Sequence, residues 1–292
     1  MNTIERRGSL ADGPVVVGTD GSAEAAPAVL WAAEEAAARN QTLHIVHGTN
    51  IGGWGGELVP EAAQPIFDAS SDLVDEAAKQ ATHRVPDLAV TTAVTRDSAA
   101  RSLLDAAGED GTIVVGSRGL GGFSALLLGS VGLKVAARAE GPVVVVRGPE
   151  QPAKGVVLVG VQDDEDLPVV RFAATTAARR KASLRLLSAW TLVQYLESTA
   201  PMFQAVREVA EAAATASSRI VGAVREEFPD LTVSDDAVQV PSPAGALVEA
   251  SEHADLLVVG ARKHPHAPGT SLGRVTHAVL HHAHCPVAVV PR

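Results

Sequence analysis

At 292 residues the chain is long for one domain and comfortable for two, and its 46% hydrophobic content with only 3% aromatics means cores built from Ala, Val and Leu. A formal charge of −10, with no cationic cluster beyond Arg179-Arg180-Lys181, argues against the basic face of a nucleic-acid binder, and that triplet reads as a solvated helix end. No apolar run approaches the ~20 residues of a membrane span, MNTIERRGSLADG has no apolar leader, and the lone Cys285 permits no internal disulfide, so the expectation is a cytoplasmic protein with a flexible tail over residues 1–12.

In chain order, PVVVG at 14–18 reads as a buried strand, 23–39 as an Ala-rich helix with Ser22 as its N-cap, and 43–47 as a second strand. Residues 49–64 read as a long connection containing GGWGG at 52–56. Then come a helix at 66–84, a strand at 88–94, a helix at 98–108, a strand at 113–115, a helix at 129–139 and a strand at 143–146. Short valine-rich runs without polar alternation, separated by helices, predict βαβ units: an open parallel sheet with helices on both faces.

After a polar, proline-containing linker at 149–154 the pattern repeats. Strands are expected at 156–160, 183–190, 231–240, 256–259 and 286–290, with helices at 167–181, 201–228, 244–253 and 273–282. Gly116 and Gly260 are 144 residues apart, as are Pro142 and Pro286, while Gly18 and Gly160 are 142 apart. One duplication with small insertions accounts for these offsets. The expectation is two tandem α/β domains, 13–148 and 155–292, each a five-stranded parallel sheet.

In such sheets ligands bind beyond the carboxyl ends of the strands, where strand order reverses. Two strand ends carry suitable residues. One is Gly18-Thr19-Asp20-Gly21-Ser22, and the other is TIVVGSRGLGGFSALLLGSV at 112–131. The second runs from a strand through a glycine loop to a helix start, the arrangement in which backbone N–H groups approach an anion. Asp20 would repel phosphate, so it belongs at a nucleoside end, accepting from a ribose hydroxyl or an adenine amine. Alone, Asp20 reads as a turn and helix cap; joined to the glycine loop it points to nucleotide contact. Phosphates would fall to the N–H groups of Gly119, Gly129, Ser130 and Val131, with Ser130 Oγ as a further phosphate or metal contact.

Gly116-x-x-Gly119, nine residues, then Gly129-Ser130 resembles the ATP-binding pattern of the universal stress proteins. VGTDGS at 17–22, LHIVHG at 43–48 and GSVGLKVAARAEGPVVVVR at 129–147 resemble that family's flanking segments in the right order. The resemblance covers nearly the whole chain as a tandem pair. It implies ATP, with or without Mg2+, bound at Gly18, Asp20, Gly48, Gly116, Ser117, Arg118, Gly119, Gly121, Gly122, Gly129, Ser130 and Val131. It also implies an intramolecular pseudo-dimer through the final strands, with a homodimer of whole chains open, and a role as a nucleotide-dependent stress-response regulator or interaction module.

The lysine of G-x-x-x-x-G-K-[ST] is absent, and Lys134 lies a turn beyond the helix start. The expectation is a non-enzyme with little or no turnover; the alternative is a nucleotide-hydrolysing or adenylating enzyme on a related fold. In the second copy Asp20 becomes Gln162, Gly119 becomes Lys263, Ser130 becomes Arg274, and HPHAPGT at 264–270 removes N–H donors. That copy is expected to bind nucleotide weakly or not at all. His277, His281, His282, His284 and Cys285 read as a helix end rather than a metal site. Trp54 reads as part of a plain connection, with a lid over the nucleotide as the other reading.

Overall fold

The computed structural model describes residues 12–53, 60–119, 128–191, 202–261 and 272–292. The chain divides into two compact units, residues 1–151 and 152–292.

The first unit alternates strand and helix: β1 (Val15–Gly18), α1 (Ala26–Ala38), β2 (Leu43–Gly48), α2 (Pro60–Arg84), β3 (Val90–Thr95), α3 (Ala99–Ala107), β4 (Thr112–Gly116), α4 (Ser130–Arg138) and β5 (Val143–Val146). Its strands are parallel and ordered β3-β2-β1-β4-β5. The path walks outward from β1 to β3, then returns to the other side of β1 for β4 and β5. The C-terminal ends of β1 and β4 therefore flank the point of reversal. Val15, Val16, Val17, Ile113, Val114 and Val143 to Val146 are buried, as strands covered on both faces require. Ala28, Ala32, Ala33 and Ala36 give α1 a small-residue face, so it packs closely with few aromatic side chains.

Most boundaries agree with the sequence reading to within two residues, the usual scatter of helix and strand ends. The exceptions are α1, which begins at Ala26 rather than 23, and α2, which begins at Pro60 and carries Pro65 inside it, where residues through 64 were expected to be a connection. Proline suits the first position of a helix because that N–H has no intrahelical partner. A short 3-10 turn, Ile51–Gly53, occupies part of the same stretch. The chain also buries an ion pair that its pattern did not announce. Arg39, at the end of α1, bonds Glu35 through Nε at 2.9 Å and Thr112 Oγ1 through Nη1 at 2.9 Å.

The second unit repeats the plan: β6 (Val156–Gly160), α5 (Leu167–Arg179), β7 (Ser183–Trp190), α6 (Met202–Glu227), β8 (Val233–Gln239), α7 (Pro243–Ser251), β9 (Leu256–Ala261), α8 (Arg274–His282) and β10 (Val287–Pro291). Its strands are parallel in the order β8-β7-β6-β9-β10. The element-by-element match follows from the duplicated pattern. Among the described residues no helix is long and apolar enough to cross a membrane.

Candidate functional site

In the first unit the ends of β1, β2 and β4 lie side by side, because β1 pairs with both others. Past Gly18 the chain turns sharply through Gly21, whose φ of +75° suits glycine. The Asp20 carboxylate closes this turn. Its Oδ1 accepts from the Ser22 N–H at 3.1 Å and from the Ser22 hydroxyl at 2.6 Å. Ser22 Oγ in turn accepts from the Ala25 N–H at 3.2 Å, one residue before α1 begins. Ser22 thus organises the entry to α1 from outside the helix, rather than capping a helix that starts at 23. The Ser22→Ala variant, losing both bonds, should cost about 1 kcal/mol in urea unfolding, the usual worth of such a cap. Asp20 therefore performs the turn role that its sequence context allows.

Its other oxygen faces the glycine loop. A Cβ placed on Gly119 would lie 2.2 Å from Asp20 Oδ2. This close approach joins the carboxylate of β1 to the backbone that follows β4, across the point of strand reversal. Gly18, Gly48 and Gly116 have a different reason for their identity. Added Cβ atoms there would meet Leu103 Cδ1 at 2.9 Å, the Ala99 N at 2.7 Å and the Glu24 carbonyl at 2.8 Å. Backbone packing against the protein's own chain demands glycine at 48 and 116 whether or not a ligand binds, whereas at 18 the tip of the Leu103 side chain would have to shift.

The β4 loop leaves and returns at one place. The Ser117 N–H donates to the Val146 carbonyl at 2.8 Å, and the Gly129 N–H donates to the Ser117 carbonyl at 2.8 Å. The Gly129 N–H, expected to face a phosphate, is thus spent on the loop's own closure. The N–H groups of Ser130 and Val131, in the first turn of α4, have no intrahelical carbonyl to meet. Ser117 is buried, Arg118 and the Ser130 side chain are exposed, and Leu128, only 2% exposed, anchors the return. Gly121, Gly122 and Trp54 lie outside the described residues.

At the end of β2, His47 Nδ1 lies 2.8 Å from the Thr19 carbonyl. His47 was not singled out from the sequence, since a histidine near a strand end carries no pattern of its own. An open groove between α2 and β3, lined by Asp72, Asp75, Glu76 and Lys79, lies apart from the strand ends. Its rim is exposed, with Glu76 and Lys79 3.7 Å apart.

The corresponding end of the second unit is built differently. Asp166, fully buried, accepts from the Gln162 N–H at 2.6 Å and pairs with the Arg292 guanidinium. A Cβ on Gly260 would lie 2.7 Å from Arg292 Nε and 2.9 Å from Asp166 Oδ1. Burial pushes the Asp166 carboxyl above its ordinary range, although the Gln162 N–H and Arg292 pull it down. This pair ties the end of β6 to the segment after β10. The sequence comparison of the two copies missed it, because Arg292 stands where the first copy has Gly148. Lys263 and residues 264–270 lie outside the described residues; Arg274 opens α8 and is exposed.

The histidine group does not converge. The rings of His277 and His281 have centroids 4.5 Å apart, but His284 turns to Glu252, with Nε2 3.4 Å from Oε1. Burial pushes the Cys285 thiol up to about 12. Among the described residues no three His, Cys, Asp or Glu side chains are grouped to hold a metal ion.

The sequence matches the universal stress protein family twice, over residues 13–147 and 155–291. A universal stress protein of Mycobacterium tuberculosis strain H37Rv is 34% identical over 289 residues, covering 94% of this chain and 96% of the relative. A universal stress protein of Mycolicibacterium smegmatis is 32% identical over the same shares. The crystal structure of a universal stress protein from Archaeoglobus fulgidus superimposes with a TM-score of 0.69 at 16% identity, covering 96% of this chain and 99% of that one.

Proposed function

Because the chain belongs to the universal stress protein family, we propose that its first unit binds ATP at the ends of β1, β2 and β4 and holds it as a regulatory ligand. The observation that carries this reading is the approach of Asp20 Oδ2 to Gly119. It sets an acceptor for a nucleoside beside backbone that can serve a phosphate chain. Asp20 takes the sugar or base end, with the Gly48 backbone beside it. The N–H groups of Gly119, Ser130 and Val131, the Ser130 hydroxyl and Arg118 take the phosphates. Gly129 contributes by shape, since its N–H holds the loop shut. Mg2+ would sit at the phosphate end, where Ser130 Oγ is the available ligand.

The reading is of binding rather than turnover. A phosphoryl-transfer site needs groups that neutralise charge developing on the transferred phosphate. The nearest lysine in sequence, Lys134, falls in the second turn of α4, past the helix start. ATP would then act through what the bound form presents to a partner, as expected of a stress-response interaction module. The second unit, with Gln162 in place of Asp20 and Arg292 paired to Asp166, serves as scaffold with weak or no nucleotide affinity.

Equilibrium dialysis with radiolabelled ATP tests the site. The intact chain should retain label, and the Asp20→Ala variant should lose at least about tenfold in affinity, the worth of one charge-assisted hydrogen bond. Chromatography of the same samples should recover the label as ATP. Steady release of ADP above about 1 s⁻¹, the low end for dedicated kinases, would instead favour the enzymatic alternative.

A further inference from the structure

We infer that His47 is a positioning residue of the nucleotide site, occupying the Thr19 carbonyl where the ends of β1 and β2 part so that a backbone donor stays available to the nucleoside. The inference rests on the ATP-binding reading above. It begins with the ladder between the two strands, which runs in register from Val15↔Leu43 to Gly18↔Val46. One more rung forms, from the Thr19 N–H to the Val46 carbonyl at 3.2 Å. In a parallel pair the following rung would bring the Gly48 N–H to the Thr19 carbonyl, because alternate residues of β2 face β1. Thr49 confirms the alternation by donating the other way, to the Thr95 carbonyl of β3 at 3.0 Å.

Among the described residues that following rung is not made. The Thr19 carbonyl takes His47 Nδ1 at 2.8 Å instead. A carbonyl only accepts, so Nδ1 carries the proton and the ring tautomer is fixed by this contact. The imidazole therefore satisfies an acceptor that the parting strands would otherwise leave unmet, while the Gly48 N–H keeps its β1-facing direction without its ladder partner. Gly48 cannot retreat on its other side, since an added Cβ there would meet Ala99 N at 2.7 Å and the Asp97 carbonyl at 2.8 Å. Thr19 is also the residue immediately before Asp20, and its Oγ1 accepts from the Gly21 N–H at 3.2 Å. Fixing its carbonyl fixes the peptide from which the Asp20 carboxylate departs. In the second unit Ser188 occupies the matching place: among the described residues the ladder there also stops after one further rung, from the Val161 N–H to the Leu187 carbonyl at 3.1 Å, but no ring meets the Val161 carbonyl.

The test uses the full chain with His47→Ala and His47→Asn, whose side-chain amide can donate near the Nδ1 position. Two readouts are taken: ATP affinity, and hydrogen exchange of the Gly48 amide in ligand-free protein. His47→Ala should weaken ATP about tenfold, and His47→Asn should restore it to within about threefold. In ligand-free His47→Ala the Gly48 amide should exchange more slowly, because the Thr19 carbonyl is released to close the missing rung. General loosening would move that amide the opposite way. Unchanged ATP affinity in His47→Ala, or faster Gly48 exchange, overturns the positioning role while leaving ATP binding intact. Failure of the wild-type chain to bind ATP overturns the site reading itself, and the Gly48 exchange still judges the strand-parting role.

Discussion

Lysine at position 119 abolishes ATP binding to the first unit, with an expected loss of at least about a hundredfold, or roughly 2.7 kcal/mol. The first atom of any side chain there would stand 2.2 Å from Asp20 Oδ2. A carboxylate tip normally swings aside at small cost. This one is restrained, because its Oδ1 is held by both the N–H and the hydroxyl of Ser22. Gly119→Lys must break those bonds or move the β4 loop, and both remove groups assigned to the nucleotide. The ammonium then has Asp20 as its nearest anion and competes with the nucleoside for it. The second copy already carries lysine at this place. Gly119→Ala separates steric from electrostatic cost: it should lose a large part of the affinity without adding charge. Far-UV circular dichroism of both variants should match wild type, since Gly119 lies outside β4 and α4.

Asp166→Ala carries the largest expected effect on stability. It leaves the Arg292 guanidinium, whose side chain is 11% exposed, without its buried partner. Removing one member of a buried ion pair typically costs about 3–5 kcal/mol, and the partial exposure of Arg292 places the expectation at about 3 kcal/mol. The variant also strands the N–H of Gln162, which donates to Asp166 at 2.6 Å. Hydrogen exchange of the β6 and β9 amides is the local readout. An Asp166→Leu, Arg292→Met double variant should recover most of the loss, because a well-packed apolar pair often matches a buried ionic one.

The pH dependence has a definite sign. Burial raises the folded carboxyl above its unfolded value, so its ionisation opposes folding. The contribution of Asp166 to stability is greatest below the ordinary carboxylate range, falls as pH rises through the raised value, and is flat above it. Asp166→Asn should flatten that slope.

The alternation of valine runs with helices was enough to fix strand count, direction and the duplication, because parallel βαβ units admit few topologies. Asp20 and the glycine loop were legible for the same reason: the topology itself carries the ends of β1 and β4 together. What escaped depended on how the chain returns on itself. The Gly129 N–H was assigned to a ligand, yet it closes the loop onto Ser117, a bond between residues twelve apart with no sequence signature. His47 and Arg292 act through partners on other segments, Thr19 and Asp166. Pro60 read as part of a connection, although proline at the first position is compatible with the helix that forms there. Two of the glycines assigned to the ligand, Gly48 and Gly116, are also required by packing, so glycine alone could not divide site from scaffold.

Isothermal titration of the nucleotide-free chain with ATP tests the central claim most directly. One tight site per chain is expected, lost in Gly119→Lys and unaffected by Arg274→Ala. Two equal tight sites per chain, or one that survives Gly119→Lys, would contradict it.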